Sequence, residues 1–127
     1  MSVIELTQAT FQAATQSEKQ PIIIDFWAPW CGPCRHFAPT FHAAAEKHQD
    51  VTFASVNTEE QQELAMGLRI RSIPTLMVFR ENVLLFQQAG ALGAAQLEDL
   101  ITQVKAVDMT KVHAEIAAQE KTSATAH

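Results

Sequence analysis

No apolar run in this sequence approaches the roughly 20 residues that a helix needs to cross a bilayer, so no membrane association is expected. The N-terminus, MSVIELTQAT, has neither a basic segment nor a long apolar one, which argues against a secretory signal and makes the cytoplasm the default compartment. Lys and Arg number 9 against 14 Asp and Glu, for a formal charge of -5, and the cations are scattered. That excludes the electrostatic footprint of a nucleic-acid binder. There are only 2 cysteines, too few for a disulfide scaffold, and in a reducing compartment a close pair points to catalysis or to a metal. Repeats and low-complexity tracts are absent too. With 127 residues, 47% of them hydrophobic and 18% charged, the chain suits one ordinary globular domain and is short for two.

The pattern of apolar residues divides the chain into alternating elements. Thr7 to Ser17 is a short helix candidate with a Thr cap, closed by Pro21. Ile22 to Trp27 (IIIDFW) is β-branched and aromatic without alternation, the mark of a strand covered on both faces. Pro33 suits the first turn of a helix, which Phe37, Phe41, Ala44 and Ala45 carry to about His48. Val51 to Val56 reads as a strand that completes a right-handed strand, helix, strand unit. Thr58 with Gln61 suggests a capping box for a helix ending near Leu68. TLMVF and VLLFQQ, joined at Arg80, Glu81 and Asn82, read as an antiparallel hairpin, although the usual Asn-Gly turn is missing. Leu97, Leu100, Ile101 and Val104 form the stripe of a helix over Ala94 to Val107. These elements predict an α/β fold: a central mixed sheet with helices on both faces. From Asp108 the chain changes character. Met109, Val112 and Ile116 offer one weak helical face, and KTSATAH, with nothing to bury, is expected to fray. The expected organisation is a domain over 1–107 and an extension over 108–127.

Both cysteines lie in WCGPC, three residues apart at the start of the second helix, where Cys31 and Cys34 are neighbours close enough to bridge. The helix N-terminus favours a thiolate. Cys31, nearest the exposed turn, is the expected attacking thiol, and Cys34, one turn further in, the more buried resolving thiol. The alternatives are a metal site and a pair of structural cysteines. A structural zinc wants about four ligands, and His36, His42, His48, His113 and His127 form no spaced ligand pair. Trp30, Gly32 and Pro33 are turn and surface residues rather than a packed stripe. Asp25, six residues before Cys31, falls inside the apolar strand. Burial raises the pKa of such an acid, so that near neutral pH it can take the proton that Cys34 must lose. The alternative is an acid tied to a buried Lys, Lys19 or Lys47.

These residues carry a resemblance. DFWAPWCGPC, the helix running on through Ala38 and Pro39, RIRSIPTLMVF and the later AGAL make residues 1 to about 107 similar to the thioredoxin family. The resemblance implies the thioredoxin fold and a dithiol–disulfide oxidoreductase that reduces protein disulfides through a mixed disulfide. It implies no bound cofactor and no metal, a monomer, and re-reduction by a thioredoxin reductase, a flavoprotein that draws on NADPH. It further implies a cis Ile73–Pro74 bond that bares the backbone of Ile73 to an extended substrate segment, and a docking patch of Trp30, Gly32, Pro33, Ile73, Pro74, Gly90 and Ala91. Without it, Pro74 reads as a loop proline, Gly90 as a turn glycine and Ile73 as core; Trp27 is expected to pack beneath the site.

The chain also departs from the family pattern. Arg35 follows the second cysteine where Lys is common. Ser55 stands where many relatives have a Lys near the buried acid, and Ser72 stands where Gly is common. Two rival readings remain at this level: an oxidant or isomerase, against which Gly-Pro between the cysteines argues, and an interaction module that docks through its tail.

Overall fold

The computed structural model describes residues 3–16 and 20–125. Strands β1 (Val3–Glu5), β2 (Ile22–Trp27), β3 (Thr52–Asn57), β4 (Thr75–Arg80) and β5 (Val83–Ala89) form one sheet in the order β1-β3-β2-β4-β5. β3 runs parallel to both β1 and β2, while β4 is antiparallel to β2 and β5, so the sheet is mixed as expected. The helices are α1 (Phe11–Thr15), α2 (Gly32–Lys47), α3 (Gln62–Gly67), α4 (Ala94–Ala106) and α5 (Met109–Thr125).

Side chains of β2 alternate between two cores, which explains its unbroken apolar run. Ile22, Ile24 and Phe26 pack with Ala54, Val56 and Met77 under Leu64 of α3 and Phe11 of α1. Ile23 points the other way, into Phe53 and Val78 beneath Phe37 and Phe41 of α2 and Leu97 and Ile101 of α4. The same period sends Asp25 to the α2 side of the sheet, toward the cysteines.

Several elements differ from expectation. β1 is an unforeseen edge strand, too short for its alternation to register. The first helix covers only Phe11–Thr15, because Thr7 and Thr10 close a turn on each other before it: the Thr7 N–H donates to Thr10 Oγ1 at 2.9 Å; the expected end at Ser17 lies outside the described residues. The capping box before α3 does not form. Thr58 Oγ1 donates to the carbonyl of Trp27 at 3.0 Å, and Gln61 Oε1 instead accepts from the N–H of Gln8 at 2.9 Å, so α3 starts at Gln62 with no side-chain cap. In the β4–β5 hairpin, Glu81 and Asn82 both take left-handed φ, 52° and 63°, and replace the missing Asn-Gly pair.

Helix also extends where fraying was expected. Asp108 Oδ1 accepts from the N–H groups of Thr110 and Lys111, capping α5, and helical backbone runs to Thr125 through a composition of good helix formers. Met109 is buried and Val112 and Ile116 are half-buried, so the apolar stripe does pack. Residues 126–127, the end of the expected frayed stretch and its His127, lie outside the described residues.

Candidate active site

β2 delivers the chain to the top of the sheet, and Ala28, fully buried, starts the turn into α2: the N–H of Cys31 donates to the carbonyl of Ala28 at 3.1 Å. Cys31 is the N-cap of α2, Pro33 sits in its first turn, and the N–H of Cys34 donates to Cys31 Sγ at 3.2 Å. One of the orphan amides of the helix start thus points at the sulfur. Cys31 and Cys34 are joined as a disulfide with Cα atoms 5.2 Å apart. In this oxidised state both are buried, at 4% and 2% exposure, and they pack against Ala28, Trp27 and Ile73. Trp27 therefore lies beneath the pair.

The other side of the disulfide faces a loop. Ile73–Pro74 is a cis peptide, and the Ile73 carbonyl oxygen lies 3.8 Å from Cys31 Sγ. Gly90, at φ 100° where only glycine is free of strain, donates its N–H to the carbonyl of Pro74 at 2.8 Å. That bond draws the Gly90–Ala91 segment to the same rim. Trp30, at 67% exposure, and Pro33 stand free on the helix side, and Gly32 is half-buried. Pro74 itself is buried, so it shapes the rim from below and adds no surface of its own.

Asp25 lies behind the pair. It is 5% exposed and its Oδ1 has no hydrogen-bond partner among the described residues. Burial pushes its carboxyl up from the ordinary 3.8 to about 7. It shares a cleft of about 320 Å³ with Cys34, Ser55, Glu5, Arg35 and His42. Of the Lys residues weighed as partners for this acid, Lys47 is engaged elsewhere, 3.4 Å from Glu98 Oε1, and Lys19 lies outside the described residues. Glu5 and His42 at this cleft were not foreseen. Glu5 depends on β1, and His42 follows from Cys34 only by counting two turns along α2. Among the described residues, no group of three or more His, Cys, Asp or Glu is placed to hold a metal ion.

A disulfide between two cysteines three residues apart at the start of a helix is the arrangement of a dithiol–disulfide oxidoreductase. Known proteins agree in detail. The thioredoxin family model matches residues 2–121. A putative thioredoxin 2 of Streptomyces coelicolor is 46% identical over 119 residues, 94% of this chain and 88% of that one. The thioredoxin of Alicyclobacillus acidocaldarius is 42% identical over 104 residues, 81% of this chain and 98% of its own. Among solved structures, thioredoxin f of spinach chloroplasts superposes with a TM-score of 0.76 at 30% identity, covering 83% of this chain and 95% of that one. The thioredoxin of Malassezia sympodialis does so at 0.74 and 30%, covering 84% and 94%. The chain belongs to the thioredoxin family.

Proposed function

We propose that the protein reduces disulfides of other proteins, with Cys31 as nucleophile, Cys34 as resolving thiol and Asp25 as the group that takes the Cys34 proton. In the dithiol form the Cys31 thiolate attacks one sulfur of the target bond, and the other target sulfur leaves as a thiolate and is protonated. Cys34 then gives its proton to Asp25 and attacks Cys31 Sγ, and the second target sulfur departs. Two electrons have passed to the target, and the chain is left with the Cys31–Cys34 disulfide. A flavoprotein reductase drawing on NADPH restores the dithiol, in the cytoplasm, and the chain works as a monomer.

The observation that carries this reading is the cleft shared by Cys34 and Asp25, in which a buried carboxyl oxygen has no competing partner among the described residues. An acid with its pKa near 7 is matched to proton exchange at neutral pH. Docking follows from the Ile73 backbone beside Cys31 and the exposed Trp30, which suit an extended segment laid across the rim.

Cys34→Ser tests the roles directly. Incubated with disulfide-containing proteins, it should accumulate mixed disulfides on Cys31, resolved by mass spectrometry, whereas Cys31→Ser should accumulate none. Absence of adducts on Cys31 would show that the assignment is wrong.

A further inference from the structure

Cations in this protein are treated in two ways. Lys47, Arg80 and Lys105 sit in ion pairs, with Glu98 at 3.4 Å, Glu81 at 3.9 Å and Asp50 at 2.9 Å. Among the described residues, Arg35, Arg69 and Arg71 have no side-chain hydrogen bond or ion pair, and the same is true of Lys111 on α5. All three free guanidinium groups are exposed and belong to segments that build the disulfide rim.

Arg35 follows Cys34 directly on α2. Arg69 and Arg71 lie on the loop that leads from α3 to Ile73. Ile70, between them, is anchored inward: it packs on the core beside Leu64, and its N–H donates to the carbonyl of Ala65 at 2.9 Å. The two arginines flank this anchor on the exposed side. Arg71 is two residues from Ile73, so its Cα lies within about 7 Å of the Ile73 Cα, and an arginine side chain spans the distance to a segment docked there.

Arg69 is placed by the end of α3: at φ 59° it is the left-handed residue just after the C-cap Leu68, and the Ile70 N–H bond to the Ala65 carbonyl closes that turn. The turn fixes the backbone, while the exposed side chain makes no hydrogen bond or ion pair of its own among the described residues. The chain as a whole carries a formal charge of -5, yet Arg35 follows Cys34 directly and Arg69 and Arg71 lie within four residues of Ile73. Arg35 shares the cleft behind Cys34 with Glu5 and Asp25, but among the described residues no ion pair joins an acid to Arg35, Arg69 or Arg71.

We propose that Arg35, Arg69 and Arg71 form a cationic rim that selects target segments carrying Asp or Glu beside the reducible disulfide. The inference rests on the reductase reading above and names the substrate class of that site. Guanidinium groups pair with carboxylates in bidentate fashion, and rim charges act chiefly on the rate of encounter, with an effect that salt weakens.

The test uses three disulfide-bridged peptides of equal length, flanked by Glu, by Lys or by neutral residues. Pre-reduced full-length protein is mixed with each, and oxidation is followed by the fluorescence of Trp27 and Trp30. The wild type should reduce the Glu peptide about three- to tenfold faster than the Lys peptide at low ionic strength, and the ratio should shrink as salt is added. In Arg69→Glu/Arg71→Glu the ratio should invert, and in the milder Arg69→Gly/Arg71→Gln it should fall toward one. Because each ratio is taken within one protein, partial loss of folding cancels. Equal rates for the two charged peptides in the wild type, or a preference that survives charge reversal, overturns the rim. If the neutral peptide is not reduced at all, the reductase reading fails and the rim with it; if it is reduced while the charged pair react alike, only the rim fails.

Discussion

Asp25 and Ser55 are register partners on the parallel strands β2 and β3, and both open into the cleft behind Cys34. Ser55 is also the register partner of Glu5 on β1. One row of the sheet therefore runs acid, hydroxyl, acid, with no cation among the three to offset the ionisation of the buried carboxyl. Desolvation accounts for the raised pKa of Asp25. The buried carboxyl is thus held at a cost to the fold wherever it ionises, and that cost is measurable.

The first prediction concerns stability. The folded protein holds the Asp25 proton up to about pH 7, while an unfolded aspartate releases it near 3.8. Between those values the native state binds more protons than the unfolded one, so stability falls as pH rises from about 4 to 7 and then levels. At about 1.4 kcal/mol per pH unit the interval sets an upper bound of about 4 kcal/mol. Asp25→Asn should match the wild type at pH 4 and exceed it at pH 8, by urea unfolding of the oxidised forms. Parallel curves for the two proteins at both pH values would remove the ionisation cost.

Ser55→Lys restores the cation that the row lacks. An ammonium about 4–6 Å from a carboxylate lowers its pKa by about 1–3 units. The Asp25 carboxyl, followed by carbon-13 chemical shift, should titrate at least one pH unit lower, and the pH midpoint of the resolving step should move with it. A titration still centred near 7 would place the new side chain away from the cleft.

What the sequence shows of this site and what it hides divide along contact distance. Cys31, Cys34 and the helix that presents them are legible because their chemistry needs a fixed local spacing, and β2 is legible because both its faces are buried. Asp25 stands out as an acid where only apolar residues fit. Glu5 does not, because β1 has only three residues and its meaning comes from pairing with β3 some fifty positions away. The failed cap at Thr58 has the same origin: Gln61 is spent on the backbone of Gln8, 53 residues distant, a partner no local pattern reveals. The left-handed backbone at Arg69, which closes the end of α3, is invisible in a string of letters, since glycine is the usual mark of that position and an arginine fills it here.

Phe41 links the core to the chemistry and gives the last prediction. It is 1% exposed, its ring centroid lies 5.6 Å from that of Phe37 and 5.2 Å from that of Phe53, and it also lines the Asp25 cleft. Phe41→Ala removes a buried aromatic, a loss of about 3–5 kcal/mol, and widens the cleft to water. Since burial is what raises the Asp25 carboxyl, hydration should bring its titration back toward the ordinary range. The two effects oppose each other only where Asp25 is ionised. At pH 8 the substitution should therefore cost less in the wild type than in an Asp25→Asn background, while at pH 4 the two costs should be equal. Such a double-mutant cycle, read by urea unfolding, isolates the coupling between core packing and the acid. Equal costs at both pH values would mean that Phe41 does not keep water from Asp25, and that the carboxyl owes its burial to the strands alone.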